Sequence, residues 1–175
     1  MPAVTPERRE SLAVVLRWQA EGGQHLDQIV GELSGPSGRR GFVQNLSYGV
    51  IRNLRVLDLW IEYLSNERKK PDPRTEAVLR IGLFELMRSD TAAHAAVNEA
   101  VSLAGRAGGF VNALLRRASR ERDKLEELVS HAPMAVQFSH PDFLVDRWVH
   151  AFGAEKAAAL CAWDQEIPPV YVRLN

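Results

Sequence analysis

A chain of 175 residues with 46% hydrophobic and 25% charged side chains has the make-up of a folded globule, long enough to bury about 70% of its unfolded surface without covalent staples. Its single cysteine, Cys161, excludes an internal disulfide framework and a cysteine-rich zinc site. No apolar run approaches the ~18 residues of a membrane span and no signal-peptide core opens the chain, so a cytoplasmic protein without membrane contact is expected.

The formal net charge of +0 conceals an uneven distribution. Residues 39–122 carry 15 Lys/Arg against 9 Asp/Glu, residues 1–38 carry 3 against 5, and residues 123–175 carry 4 against 8. A basic middle between acidic ends points to a local anion-binding surface.

In chain order, Thr5-Pro6 reads as an N-cap followed by proline at the first helical position. That helix buries Leu12, Val15 and Leu16 and stops near Gly22-Gly23. Leu26, Ile29, Val30 and Leu33 form an i, i+3, i+4, i+7 stripe that ends at Gly35-Pro36. Phe42, Leu46, Gly49 and Val50 mark a third helix, with Gly49 at a close crossing, and Leu57, Trp60, Ile61 and Leu64 mark a fourth. After a polar loop from Asn66 to Asp72, Pro73 opens a helix lined by Leu79, Leu83 and Leu86.

The stretch from His94 to Arg117 carries the most information. Val97, Ala100, Val101 and Ala104 give a stripe of small apolar residues, Gly108-Gly109 is expected to end it, and Phe110, Val111, Leu114 and Leu115 restart the pattern. On the second helix Asn112, Arg116 and Arg120 recur every four residues and share a face, with Arg117 beside them. An apolar side that anchors and a basic side that faces outward is what a phosphate-binding helix requires. Arg39-Arg40 at the start of the third helix and Arg8-Arg9 in the first turn of helix one are further candidates.

A charged helix then buries Leu125, Leu128 and Val129, and residues 132–139 read as a linker. Beyond it, a helix after His140-Pro141 is expected to bury Leu144, Trp148, Ala151 and Phe152 and to end at Gly153; a short alanine-rich helix follows over 155–164. Val170, Val172 and Leu174 alternate with Tyr171, Arg173 and Asn175, which is strand periodicity. The predicted class is all-α: a helical bundle, a helical extension, and one terminal strand.

These motifs resemble a family. Ala-Val-Asn-Glu-Ala-Val (96–101) and Gly-Phe-Val-Asn-Ala-Leu-Leu-Arg-Arg (109–117), preceded by Asn-Leu-Ser-Tyr-Gly-Val-Ile-Arg (45–52), Leu57-Asp58 and Leu-Arg-Ile-Gly-Leu-Phe-Glu-Leu (79–86), look like the signature of the NusB fold. His140-Pro141-Asp142-Phe143-Leu144, Arg147-Trp148, Phe152-Gly153 and the ending Pro168-Pro169-Val-Tyr-Val-Arg-Leu-Asn resemble the start of the catalytic part of the RsmB/Sun family, which methylates C5 of a cytosine in small-subunit ribosomal RNA. The resemblance implies a NusB-like RNA-binding domain over 1–132 and the first part of a methyltransferase module over 140–175. By the same resemblance, Arg8-Arg9 correspond to the arginine-rich stretch with which NusB proteins touch RNA.

The family's reaction needs a thiolate in Pro-Cys or Thr-Cys context and an α/β sheet for S-adenosylmethionine. Cys161 stands instead in Ala-Leu-Cys-Ala-Trp on an apolar helical pattern, where a free thiol is an inert core residue. Gly105 to Gly109 follows a helix, not a strand, and fails the context of a dinucleotide-type loop. The five histidines form no metal-ligand spacing. No catalytic, cofactor or metal site is therefore expected in this chain; S-adenosylmethionine belongs to the full-length protein. The expected function is docking of small-subunit ribosomal RNA, not DNA, for a methyltransferase. The alternative is a NusB-type antitermination factor that binds RNA with a ribosomal protein partner, and a third reading is a bundle that makes protein contacts only.

Overall fold

The computed structural model describes residues 4–22, 25–33, 40–66 and 71–166, and every regular element among them is helical. The helices are α1 (Pro6–Ala20), α2 (Leu26–Leu33), α3 (Arg40–Arg52), α4 (Leu54–Ser65), α5 (Pro73–Arg88), α6 (Ala93–Ala104), α7 (Gly108–Arg120), α8 (Arg122–His131), α9 (Met134–Gln137), α10 (Asp142–Phe152) and α11 (Ala154–Asp164). Their starts follow local chemistry. Pro6 and Pro73 occupy first-turn positions, where a missing N–H costs nothing. Asp72 caps α5 by accepting from the N–H groups of Arg74 and Thr75, each at 3.1 Å. Thr5 does sit at the N-cap of α1, but its hydroxyl accepts from the Arg8 guanidinium at 3.0 Å and not from a helix N–H.

The centre of the bundle is α5, whose residues 75–87 are all buried. Helices α1, α3, α4, α6 and α7 pack around it. A helix enclosed on all sides must be apolar or must match each polar group it carries. Helix α5 pairs its buried charges, although Arg80 Nη1 itself finds no hydrogen-bond partner. Arg80, 5% exposed at its side chain, bonds Asp58 at 2.7 Å and Glu76 at 3.2 Å. Glu85, 2% exposed, holds Arg8 at 2.6 Å. The main core gathers Leu57, Trp60, Leu79, Ile81, Leu83, Leu115 and Leu125 with their neighbours, and the Trp60 indole donates to Leu125 O at 2.9 Å. A smaller core unites Val14, Ile29, Val30 and Val43 under α1, α2 and α3.

The structure corrects the sequence reading in four places. The break between α6 and α7 falls at Gly105, whose φ of +55° and ψ of −115° together lie outside the left-handed region open to other residues. A single 3₁₀ turn (Gly105–Ala107) follows, and Gly108 and Gly109 open α7 instead of ending α6. The expected linker over 132–139 contains α9, and its Ala135 is buried with Val145 and Cys161 in a third core. Helix α10 turns Val145, Trp148 and Val149 inward and leaves Phe152 54% exposed, because its partner is α11 and not the bundle.

The last correction concerns the fold class. No strand occurs among the described residues, so the class is all-α and the terminal strand is withdrawn from it. The segment proposed as that strand, 170–175, lies outside the described residues. The physical ground is that a strand needs a neighbouring edge for its backbone groups, and helices supply none.

Candidate nucleic-acid interface

Helix α7 presents two faces. Val111, Leu114, Leu115 and Ala118 are buried against α4, α5 and α6, which fixes the helix in rotation. The opposite face carries Arg116 and Arg120, both exposed. Asn112 Oδ1 accepts from Arg116 Nε at 3.0 Å, a bond between successive turns that orients the guanidinium and leaves its two terminal nitrogens to solvent. Arg120 forms no hydrogen bond or ion pair among the described residues.

Arg117, one position round the helix, has a different job. It donates to Glu121 at 2.9 Å, to Leu64 O at 2.9 Å and to Asn66 Oδ1 at 2.7 Å, while its guanidinium lies 4.9 Å from the Tyr63 ring centre. The bond it donates to Glu121 raises the Arg117 pKa further, and the bonds from Arg117 and then Tyr63 hold the Glu121 carboxyl below the ordinary carboxylate range. Asn66 sits in the left-handed C-cap of α4. Arg117 thus ties α7 to the end of α4.

Arg8 is likewise committed to the interior. Its Nε and Nη2 grip the two oxygens of Glu85, and its guanidinium faces the Phe42 ring at 5.3 Å. Burial works against this charge, and the hydrogen bond and attraction of Glu85 outweigh it, so the Arg8 pKa is raised. Arg9 is exposed and donates only to Val4 O at 2.9 Å. Arg40 is exposed at the start of α3 and forms no hydrogen bond or ion pair among the described residues. Arg39 lies outside the described residues. Helices α3 and α7 both pack on α5, so Arg40 and the Arg116–Arg120 pair are carried by different helices of the bundle.

A second feature escaped the sequence reading. A cleft of about 620 Å³ opens between α3 and the C-terminal helices, lined by Gln44, Asn45, Tyr48 and Arg52 on one wall and by Gln137, Phe138, Ser139 and Gln165 on the other, with Phe84 beneath. Positions 41, 44, 45, 48 and 52 recur at helical spacing on the side of α3 opposite Val43, Leu46 and Val50. The stripe is visible in the sequence. Its enclosure is not, because the second wall comes from residues some eighty to 120 positions downstream. Arg106, exposed on the turn before α7, was also passed over.

Cys161 is fully buried, and burial, then the charge of Asp164, pushes its thiol pKa up. That is the setting of a packing residue and not of a nucleophile. Among the described residues no group of three or more His, Cys, Asp or Glu stands ready to hold a metal, and no helix is long and apolar enough to cross a membrane.

The model of the family described as NusB matches residues 5–120 of the chain. The ribosomal RNA small subunit methyltransferase B of Pseudomonas putida is 35% identical over 142 residues, covering 78% of this chain and 32% of that protein. A protein of the same description from Cronobacter sakazakii is 27% identical over 175 residues, 95% of this chain and 40% of its own. The transcription antitermination protein NusB of Xanthomonas axonopodis pv. citri is 33% identical over 135 residues, 71% of this chain and 85% of its own. The chain spans about a third of the length of the methyltransferases it matches.

Proposed function

The chain belongs to the NusB family, and we propose that it is the RNA-docking region of a ribosomal RNA cytosine-C5 methyltransferase, holding small-subunit ribosomal RNA for a catalytic unit that uses S-adenosylmethionine. The observation that carries RNA contact is the outward face of α7, where Arg116, oriented by Asn112, and Arg120 have no carboxylate partner. Guanidinium groups held this way bridge phosphate oxygens and stack on unpaired bases. Arg9 and Arg40 are proposed as weaker outlying contacts. Arg8 and Arg117 are assigned to positioning, since Glu85 and the Glu121–Leu64–Asn66 set already use their donors.

The choice of a methyltransferase rests on the extension. Relatives of that description align over as much as 95% of this chain, a span that takes in most of α9 to α11. The described residues form no strand–turn–helix cradle, so no role toward S-adenosylmethionine is assigned to them. A second reading, an antitermination factor acting with a ribosomal protein, is favoured by the 85% of the Xanthomonas protein that the chain covers. A reading frame that continues past Asn175 into Pro-Cys and Thr-Cys motifs supports the first reading, and a stop codon there supports the second.

RNA contact is tested by titrating the wild type and an Arg116→Glu/Arg120→Glu variant against a small-subunit ribosomal RNA fragment at several salt concentrations. Four cationic contacts give a log–log salt slope of about −3, and each contact removed shallows it by about 0.7 to 0.9. Unchanged affinity and slope in the variant would overturn the assignment of this face.

A further inference from the structure

We propose that the cleft between α3 and the C-terminal helices receives one unpaired nucleotide of an RNA strand, with Arg52 on the phosphate and the Gln44 and Asn45 amides on the edge of the base. The inference rests on the RNA-binding reading and adds a second site to it.

The lining separates into groups that build the cleft and groups left over. Asn53 donates to Gly49 O at 2.9 Å, Gln137 to Ala132 O at 2.7 Å, and Gln165 to Phe138 O and to Arg52 O; the Ser139 hydroxyl accepts from Val56 N–H at 3.2 Å. These bonds set the shape of the walls and bind the C-terminal helices to the bundle. By contrast the side chains of Gln44, Asn45, Tyr48 and Arg52 make no hydrogen bond among the described residues. An apolar occupant would strip water from four polar groups and return nothing.

The chemistry of the remainder is specific. No carboxylate lines this cavity, and Arg88 is already matched by Glu126 at 2.6 Å; Arg52 forms no ion pair among the described residues, although Asp164 lines the adjoining hollow with it. Two primary amides offer donors and acceptors side by side, the complement of a base edge. Phe84, Tyr48 and Phe138 line the cavity with aromatic surface against which a base can pack. About 620 Å³ lies in the ordinary range of small-ligand pockets and suits one nucleotide, whereas a duplex keeps its base edges paired and cannot present one here.

The test is an NMR titration of the isotope-labelled chain with a short single-stranded RNA, with the same RNA as a duplex, and with the four nucleoside monophosphates. The expected result is that the side-chain amide signals of Gln44 and Asn45 and the Arg52 Nε–H signal move with single-stranded RNA and stay still with duplex. Arg52→Gln is expected to weaken single-strand binding about tenfold, the loss of one charged hydrogen-bonding contact. The Arg52 side chain has no partner among the described residues, and the bond that Gln165 makes to its backbone carbonyl survives the substitution, so this variant keeps the fold, and the unchanged remainder of the spectrum verifies it. RNA that binds while the cleft signals stay still would overturn the pocket and leave the α7 face standing. Cleft shifts with monophosphates, with no signal of the chain moving when RNA is added, would overturn the assignment to RNA strands and remove the docking function as well.

Discussion

The Phe84 ring fills the space that a side chain at Gly49 would occupy: a Cβ placed there would stand 2.1 Å from Phe84 Cζ. Helix α3 therefore lies on α5 at backbone distance, and the same ring becomes the floor of the cleft. Gly49→Ala must push the ring or the helix away, an overpacking that costs about 3 kcal/mol. Phe84→Leu makes room and should return part of that loss, so the double variant is more stable than the sum of its singles. Urea unfolding of the four proteins checks it; additive losses would show that the two residues do not share the space.

The pair Arg8–Glu85 joins α1 to the buried centre of the fold. Arg8→Ala strands a carboxylate that is 2% exposed, at a cost of about 3–5 kcal/mol. Replacing both partners together, Arg8→Met with Glu85→Leu, should cost much less, because no charge is then left buried alone. In the folded fraction of Arg8→Ala, RNA affinity is expected to match the wild type. A loss of affinity at unchanged stability would return Arg8 to the RNA-contacting set.

Asp72 caps α5 through two backbone N–H bonds and one from the Thr75 hydroxyl. The Thr75 side-chain bond, followed by the Thr75 backbone bond, holds its pKa below the usual carboxylate value. The sign follows: the unfolded carboxyl titrates at the higher pH, so the cap contributes fully at neutral pH and its contribution fades as pH falls through the depressed folded value. Asp72→Ala should melt below the wild type at pH 7, and the gap should close in acid. Asp72→Asn, which keeps an acceptor, should lose less. Thermal melts across the acidic range measure both.

Arg55 binds the C-terminal helices to the bundle through His140 O at 2.6 Å and Asp142 at 3.0 Å. Arg55→Ala should speed amide exchange in α9 and α10 far more than in α5 to α7, since the extension has its own small core around Ala135, Val145 and Cys161. Uniform acceleration across all helices would mean that the extension and the bundle unfold as one.

Helix positions, their inward faces and the basic side of α7 were legible in the sequence because each is a property of residues three or four apart. Val111, Leu114 and Leu115 point inward and Arg116 and Arg120 outward, as periodicity alone requires. The use each arginine is put to was not legible, because hydrogen-bond partners are set by the path of the whole chain. Arg8 meets a carboxylate 77 residues away and Arg117 a carbonyl 53 residues away, so two arginines that read as surface cations are tied to the scaffold, while Arg120, on the same helix as Arg117, stays bare. The cleft is the same lesson in reverse: its first wall is a stripe on α3, and its second arrives only when Gln165 closes on Arg52 across 113 residues. Local spacing determines which way a side chain faces, and only tertiary packing decides what it finds there.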